Sequence, residues 1–238
     1  MKKLYNKILI VTLFAIAMGL LESAVVVYLR EIMYPEGFNF PLAPIPSNLA
    51  LTEILREMAT IIMLAGVGIL AGENFSQRFA WFIFSFAIWD IFYYVFLWVL
   101  LGWPESFMTW DILFLIPATW TGPVITPLLV TVVMILLAVF ILIASEKGVR
   151  SRLIAREWIG LTGGSIILIV AFTTDYIRHM LKEFSLFEMM NIRNETLQDH
   201  AMKYIPDHFP WFVFLLGLFI ILGFTLNYGY RIRKTILT

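Results

Sequence analysis

The sequence contains no cysteine. This absence excludes disulfide bonds, thiolate-ligated metal centres and cysteine nucleophiles. Charge is also scarce, since Asp, Glu, Lys and Arg make up only 14% of the 238 residues and the formal net charge is zero. Without an excess of positive charge, the composition gives no indication of nucleic-acid binding. The sequence also lacks the H-E-x-x-H signature of zinc hydrolases and any clear internal repeat.

Apolar side chains are abundant instead. Hydrophobic residues make up 61% of the chain, whereas soluble domains are about 45–50% apolar and about 25% charged. The composition therefore predicts an integral membrane protein. Apolar runs of about 20 residues, the length at which a helix crosses a bilayer, predict six spans. We expect an all-α bundle forming a single transmembrane domain, with spans near 8–29, 51–72, 79–101, 119–144, 158–179 and 210–229.

The first apolar run resembles a signal peptide at its start, because Lys2 and Lys3 precede it. It continues to about residue 29 with Glu22 as its only charged residue, so we expect it to be retained as the first span.

Two connections between the spans are unusual. Residues 104–118 are apolar again from Trp110 onwards but too few to span, which predicts a re-entrant or interfacial segment. Pro117 would break a helix there. The alternative for Trp103, Trp110 and Trp120 is an interfacial aromatic belt. Residues 180–209 predict a long, ordered loop on the same side of the membrane.

The distribution of charge predicts the orientation of the bundle. With the N-terminus in the cytoplasm, six spans return the C-terminus there, and eleven of the 17 lysines and arginines lie on the cytoplasmic side. Conversely, 14 of the 17 acidic residues lie in the outer loops and outer halves of the spans. This pattern satisfies the positive-inside rule. It predicts a multi-pass protein of the cell membrane, plasma or bacterial inner, with both termini cytoplasmic.

In this topology the ionisable residues within the spans fall in the outer half. Six acids lie there or in the adjoining linker, namely Glu22, Glu53, Glu57, Asp90, Asp111 and Asp175. Arg30, Arg56 and Arg178 are too few to neutralise them all, although structural ion pairs are the alternative explanation for each single acid. Charged groups at membrane depth usually mark a functional site, so the surplus indicates a functional outer cavity.

The spacing of these residues favours a metal site. Asp175 and His179 are separated by four residues on one helix, so two ligands could reach one ion. We predict Glu22, Glu57, Asp90, Asp175 and His179 as candidate ligands. Carboxylate and imidazole ligands suit Zn, Mn, Fe or Cu(II). Such a centre would serve a membrane enzyme acting on a lipid or lipophilic substrate, with Glu57, Asp90 and Tyr94 as candidate catalytic residues.

Two other functions remain open at this point. The acids could instead serve a cation- or proton-coupled transporter. The aromatic spans could also belong to a non-catalytic subunit or assembly factor that binds lipid, a lipophilic ligand, a partner membrane subunit or a second copy of the chain. Whether the protein is an enzyme is not decided by its sequence.

Overall fold

The computed structural model describes residues 2–43, 46–116, 118–149, 151–186, 188–190 and 195–237. Its helices are α1 (Lys2–Met33), α2 (Ser47–Ala71), α3 (Phe75–Leu101), α4 (Ile125–Glu146), α5 (Ala155–Met180), α6 (Glu195–Met202) and α7 (Trp211–Leu237). All except α6 are long and apolar enough to cross a membrane. The chain is therefore a multi-pass membrane protein, as its composition predicts. Pro117 lies outside the described residues.

The six long helices form an antiparallel bundle. Helices α1 and α2 both pack along α3, which also packs on α4, while α7 lies against α4 and α5. Lys7 donates a hydrogen bond to the carbonyl oxygen of Ala71 at 2.9 Å, which joins the start of α1 to the end of α2. Both termini thus lie at one end of the bundle, called here the termini end. The opposite end is called the hairpin end.

Helices α5 and α7 approach each other closely. A Cβ atom built on Gly164 would lie 3.1 Å from the carbonyl oxygen of Gly217, so glycine is needed for this contact. At the termini end, Arg231 of α7 binds the fully buried carboxylate of Glu157 on α5 through contacts of 2.8 and 2.9 Å. A glycine contact and a buried ion pair therefore hold this half of the bundle.

A two-stranded antiparallel hairpin begins within the segment that is predicted to be re-entrant or interfacial. Strand β1 (Trp110–Phe114) pairs with β2 (Trp120–Pro123), with Asp111 opposite Gly122 and a bulge between Ile112 and Phe114. The strands satisfy backbone groups that an irregular segment would leave without partners. Because β2 occupies residues 120–123, α4 begins at Ile125 and not near residue 119. The bundle is all-helical as predicted, and the hairpin is the exception.

Local capping residues fix both ends of α3. Asn74 caps its start by accepting a hydrogen bond from the backbone N–H of Gln77 at 3.1 Å. Gly102 ends it with a φ of 65°, a left-handed conformation that favours glycine. The chain then leaves α3 and enters the hairpin. The long connection after α5 contains a 3₁₀ turn (Glu188–Met190) and α6, so its described part is ordered, as expected.

Candidate functional site

A cavity of about 170 Å³ lies at the hairpin end between α1, α2 and α3. Strand β1 and the segment that follows α1 close it on the hairpin side. Its charged and polar lining comprises Glu22, Arg30, Glu53, Arg56, Glu57, Trp89, Asp90, Tyr93, Tyr94 and Asp111. Its apolar lining includes Val26, Leu29, Met33, Phe38, Leu42, Leu49 and residues 112–115. The lining therefore combines ionisable side chains with aliphatic and aromatic ones.

Helical periodicity explains how so many lining residues face one space. On α1 the lining positions are 22, 26, 29, 30 and 33, and on α2 they are 49, 53, 56 and 57. Steps of three and four residues keep side chains on one face of a helix. On α3 the pairs 89–90 and 93–94 follow the same rule. Each of the three helices thus gives one stripe to the cavity.

Arg56 connects two of the carboxylates. Its Nη2 lies 2.7 Å from Oε2 of Glu53, and its Nη1 binds Glu22 on α1. The hydroxyl of Thr60 also reaches Glu22, at 3.3 Å. This network ties α1 to α2 and neutralises part of the acidic surplus, which is the structural role that ion pairing predicts.

Arg30 holds the hairpin against the bundle. Its guanidinium lies 3.5 Å from Oδ1 of Asp111 and stacks on the Trp103 ring, 3.7 Å from the centroid. Tyr94 donates a hydrogen bond to Oδ2 of Asp111 at 3.1 Å. Asp111 is only 2% exposed. Burial raises the pKa of Asp111 to about 6, even though the Arg30 charge and the Tyr94 hydroxyl favour its ionised form.

In the described part of the chain, neither Glu57 nor Asp90 forms a salt bridge with an arginine. Glu57 is 7% exposed and accepts a hydrogen bond from the backbone N–H of Leu115 at 2.9 Å. The Oδ2 atom of Asp90 is buried and has no hydrogen-bond partner among the described residues. The same holds for the indole N–H of Trp89, the preceding residue. The cavity therefore contains a buried acceptor and a buried donor that the described protein does not satisfy.

The structure brings together four of the predicted site residues. Glu22, Glu57, Asp90 and Tyr94 all line the cavity. The two remaining ones, Asp175 and His179, are not part of its lining. They lie on α5 and bind the connection between α5 and α7.

Asp175 anchors the segment that precedes α7. It accepts hydrogen bonds from the hydroxyl of Tyr204 at 2.7 Å and from the backbone N–H groups of Asp207 and His208 at 3.2 and 3.4 Å. Tyr204 also shares a 2.8 Å hydrogen bond with Thr121 of β2. Burial raises the pKa of Tyr204, so its hydroxyl stays protonated and donates. Asp175 is thus a structural anchor.

His179 and His200 form a reciprocal pair. Each Nε2 atom lies 3.0 Å from the backbone oxygen of the other residue, and the two rings stack with centroids 4.4 Å apart. This contact joins α5 to α6. Since the Nε2 atom of His179 meets a carbonyl oxygen, it is occupied in this arrangement.

Within the described ranges, no group of three or more His, Asp or Glu side chains could hold a metal ion. The five candidate ligands are divided between the cavity and α5, and Arg56 occupies Glu22. The predicted metal site therefore has no support from this geometry.

Sequence reasoning missed several residues of the cavity. The backbone N–H of Leu115 binds Glu57, a contact that has no signal in the sequence. Phe38 of the lining and Trp103, which lies outside the lining, both contact the guanidinium of Arg30 through their rings, and the sequence does not show these contacts. Trp89 is the exception, because its position directly before Asp90 could have marked it.

No protein-family model, no curated protein and no solved structure matches the chain.

Proposed function

We propose that the protein binds an amphiphilic molecule in the hairpin-end cavity. The polar head of the molecule lies among the carboxylates, and its apolar part lies against the aliphatic side chains of the lining. The observation that carries this proposal is the mixed lining of one cavity, which combines the carboxylates of Glu57 and Asp90 with the aliphatic side chains of Val26, Leu29 and Leu49. A site for a small hydrophilic ion does not need aliphatic side chains in its lining. Pockets for larger ligands, in contrast, are mostly apolar and contain a few polar groups that orient the ligand.

The packing of the helices supports access from the bilayer. Helices α1 and α2 each pack extensively on α3 but contact one another little. The space between them is the route for an alkyl chain. By the distribution of lysine and arginine, this end of the bundle faces outward across the cell membrane, so the ligand enters from the outer leaflet.

Glu57, Asp90 and Tyr94 keep the roles expected of groups that exchange protons with a ligand. All three line the cavity, and the hydroxyl of Tyr94 is bound to Asp111. An enzymatic step on the bound head would use these groups, since they are ionisable side chains of the cavity lining.

Transport is favoured less. A second cavity of about 150 Å³ at the termini end is lined in part by Lys7, Glu73 and Gln77. A buried apolar layer that includes Met18, Leu64 and Trp89 lies between the two cavities. Passage between them would require this layer to open, so binding at one end fits the described arrangement better.

The test compares cavity filling with a matched surface change. Leu49→Trp places an indole at a position that lines the cavity. Leu55→Trp changes a position on α2 that is 52% exposed and outside the lining. Thermal unfolding of the detergent-purified protein is measured with neutral, cationic and anionic long-chain amphiphiles. A ligand at about 100 times its Kd stabilises by about 2.7 kcal/mol. We expect such stabilisation in the wild type and in Leu55→Trp but not in Leu49→Trp. Equal stabilisation of both variants would contradict the proposal.

A further inference from the structure

The hairpin-end cavity has a deficit of positive charge. We infer, on the basis of the proposed function, that the head of the bound amphiphile carries a protonated amine with an oxygen acceptor close to it. The lining contains five carboxylates and two guanidinium groups. Charged ligands are recognised by the opposite charge that the site leaves unpaired.

Both arginines are already engaged. Arg56 binds Glu22 and Glu53, and Arg30 binds Asp111. Two carboxylates are left, Glu57 and Asp90, and neither forms a salt bridge among the described residues. A bound ammonium group supplies the missing charge.

Because Glu57 and Asp90 are buried, their negative charges are costly without a partner. Glu57 is 7% exposed, and its described hydrogen bond comes from a neutral backbone N–H. The Oδ2 atom of Asp90 is buried without a donor, and Asp90 also faces repulsion from the charge of Asp111. A carboxylate in a medium of low dielectric constant needs a proton or a cation. An ammonium group provides both N–H donors and the opposite charge.

Trp89 gives an independent indication of the ligand. It is 6% exposed, it lines the same cavity, and its buried indole N–H has no acceptor in the described part of the chain. A donor of this kind calls for an oxygen atom on the ligand. Since Trp89 and Asp90 both line the same cavity of about 170 Å³, one ligand head that carries both an oxygen and an amine can meet both groups. An amino alcohol, an aminoacyl ester or a phosphoethanolamine has this chemistry.

Aromatic faces add to the preference for a cation. The rings of Trp89 and Tyr93 stack with centroids 6.5 Å apart, and Tyr93 contacts Tyr94 edge to face at 4.9 Å. All three side chains line the cavity. Ammonium groups are attracted to the faces of such rings.

The experiment compares amphiphiles of equal chain length and different heads. A long-chain alkylamine, its trimethylammonium analogue, the alcohol and the sulfate are added separately to the purified protein in a neutral detergent. Their apparent affinities are read from thermal unfolding. We expect the amine to bind most tightly, followed by the trimethylammonium compound, which lacks N–H donors. The sulfate is expected not to bind.

Variants of the two free carboxylates test the residues. Glu57→Gln and Asp90→Asn are each expected to weaken the amine about tenfold or more, because each removes a charge-assisted hydrogen bond. The affinity of the alcohol is expected to stay within about twofold, since its binding does not use the charge. Glu31→Gln is the matched control, as Glu31 is exposed at the same end of α1 and outside the lining.

The failures of the two proposals differ. If the alcohol binds as tightly as the amine and Leu49→Trp abolishes both, the amine inference is overturned and amphiphile binding stands. If none of the four compounds stabilises the wild type, both fall. Stabilisation by a divalent metal ion alone, lost in Glu57→Gln and in Asp90→Asn, would also overturn the amine and restore a metal site.

Discussion

Asp90 and Asp175 occupy similar positions in two halves of the molecule and have opposite surroundings. Both are single carboxylates near the hairpin end of long apolar helices. Asp175 accepts three hydrogen bonds, from the Tyr204 hydroxyl and two backbone N–H groups. Asp90 keeps a buried oxygen without a described partner. A carboxylate in an apolar helix is therefore a structural anchor or a binding group according to what packs against it.

The difference extends to the segments that cover the two sites. The described connection between α5 and α7 fills its site, since Tyr204 lies between Asp175 and Thr121 and Phe209 packs on Gly122. The hairpin covers the other site less completely. It provides Asp111 and the N–H of Leu115, yet it leaves the cavity of about 170 Å³. Within the described residues, open space and buried atoms without a hydrogen-bond partner are found together at the site of Asp90.

The largest expected effect comes from making the same change in both halves. The two carboxylate oxygens of Asp175 together face three donors. Asp175→Asn turns one of these oxygens into a donor and removes the charge, and hydrogen bonds to charged groups contribute about 1.5–3 kcal/mol each. We expect a loss of about 3–4 kcal/mol in the free energy of unfolding. Asp90→Asn in the ligand-free protein removes a costly buried charge and should be neutral or stabilising. Thermal unfolding in detergent measures both. A greater loss in Asp90→Asn would mean that Asp90 has a structural partner.

A second effect concerns pH and the hairpin. The pKa of Asp111 is 3.8 in its ordinary state and about 6 in the folded protein. The folded state therefore holds this proton more tightly, so the stability from Asp111 is present below about pH 4 and is lost as the pH rises through about 6. At about 1.4 kcal/mol per pKa unit, the change is about 2–3 kcal/mol.

The measurement is the difference between the wild type and Asp111→Asn over the same pH range. Asp111→Asn cannot titrate, so its stability should vary less between about pH 4 and 6. At neutral pH it should be at least as stable as the wild type, because the raised pKa of Asp111 means that burying its charge costs more than the contacts with Arg30 and Tyr94 recover. Parallel pH profiles for the two proteins would rule out Asp111 as the titrating group.

Much of the fold was accessible from the sequence because run length alone limits a membrane helix. The six spans are found. Most of the helices extend beyond the predicted ranges, whereas α4 begins six residues later than predicted, at Ile125 and not near residue 119. The hairpin was not predicted as strands, since β1 and β2 contain only five and four residues. Strands so short give little periodicity, and their pairing is a contact between distant residues.

The candidate site was accessible in part, for a related reason. The cost of charge at membrane depth singled out Glu22, Glu57 and Asp90, and these do share one cavity. The four-residue spacing of Asp175 and His179 indicated a common helix face, but it could not show which segment covers that face. Local spacing describes one helix, whereas a site is made by several.

The smallest expected effect tests whether the two halves are independent. Tyr204→Phe removes one hydroxyl that joins Asp175 to Thr121, and we expect a loss of about 1 kcal/mol in stability. Tyr230→Phe, at a position that is 72% exposed, should cost nothing measurable. Because Tyr204 does not line the hairpin-end cavity, the affinity for the alkylamine should be the same in both variants. A weaker affinity in Tyr204→Phe alone would show that the loop anchored by Asp175 and the cavity containing Asp90 are energetically coupled.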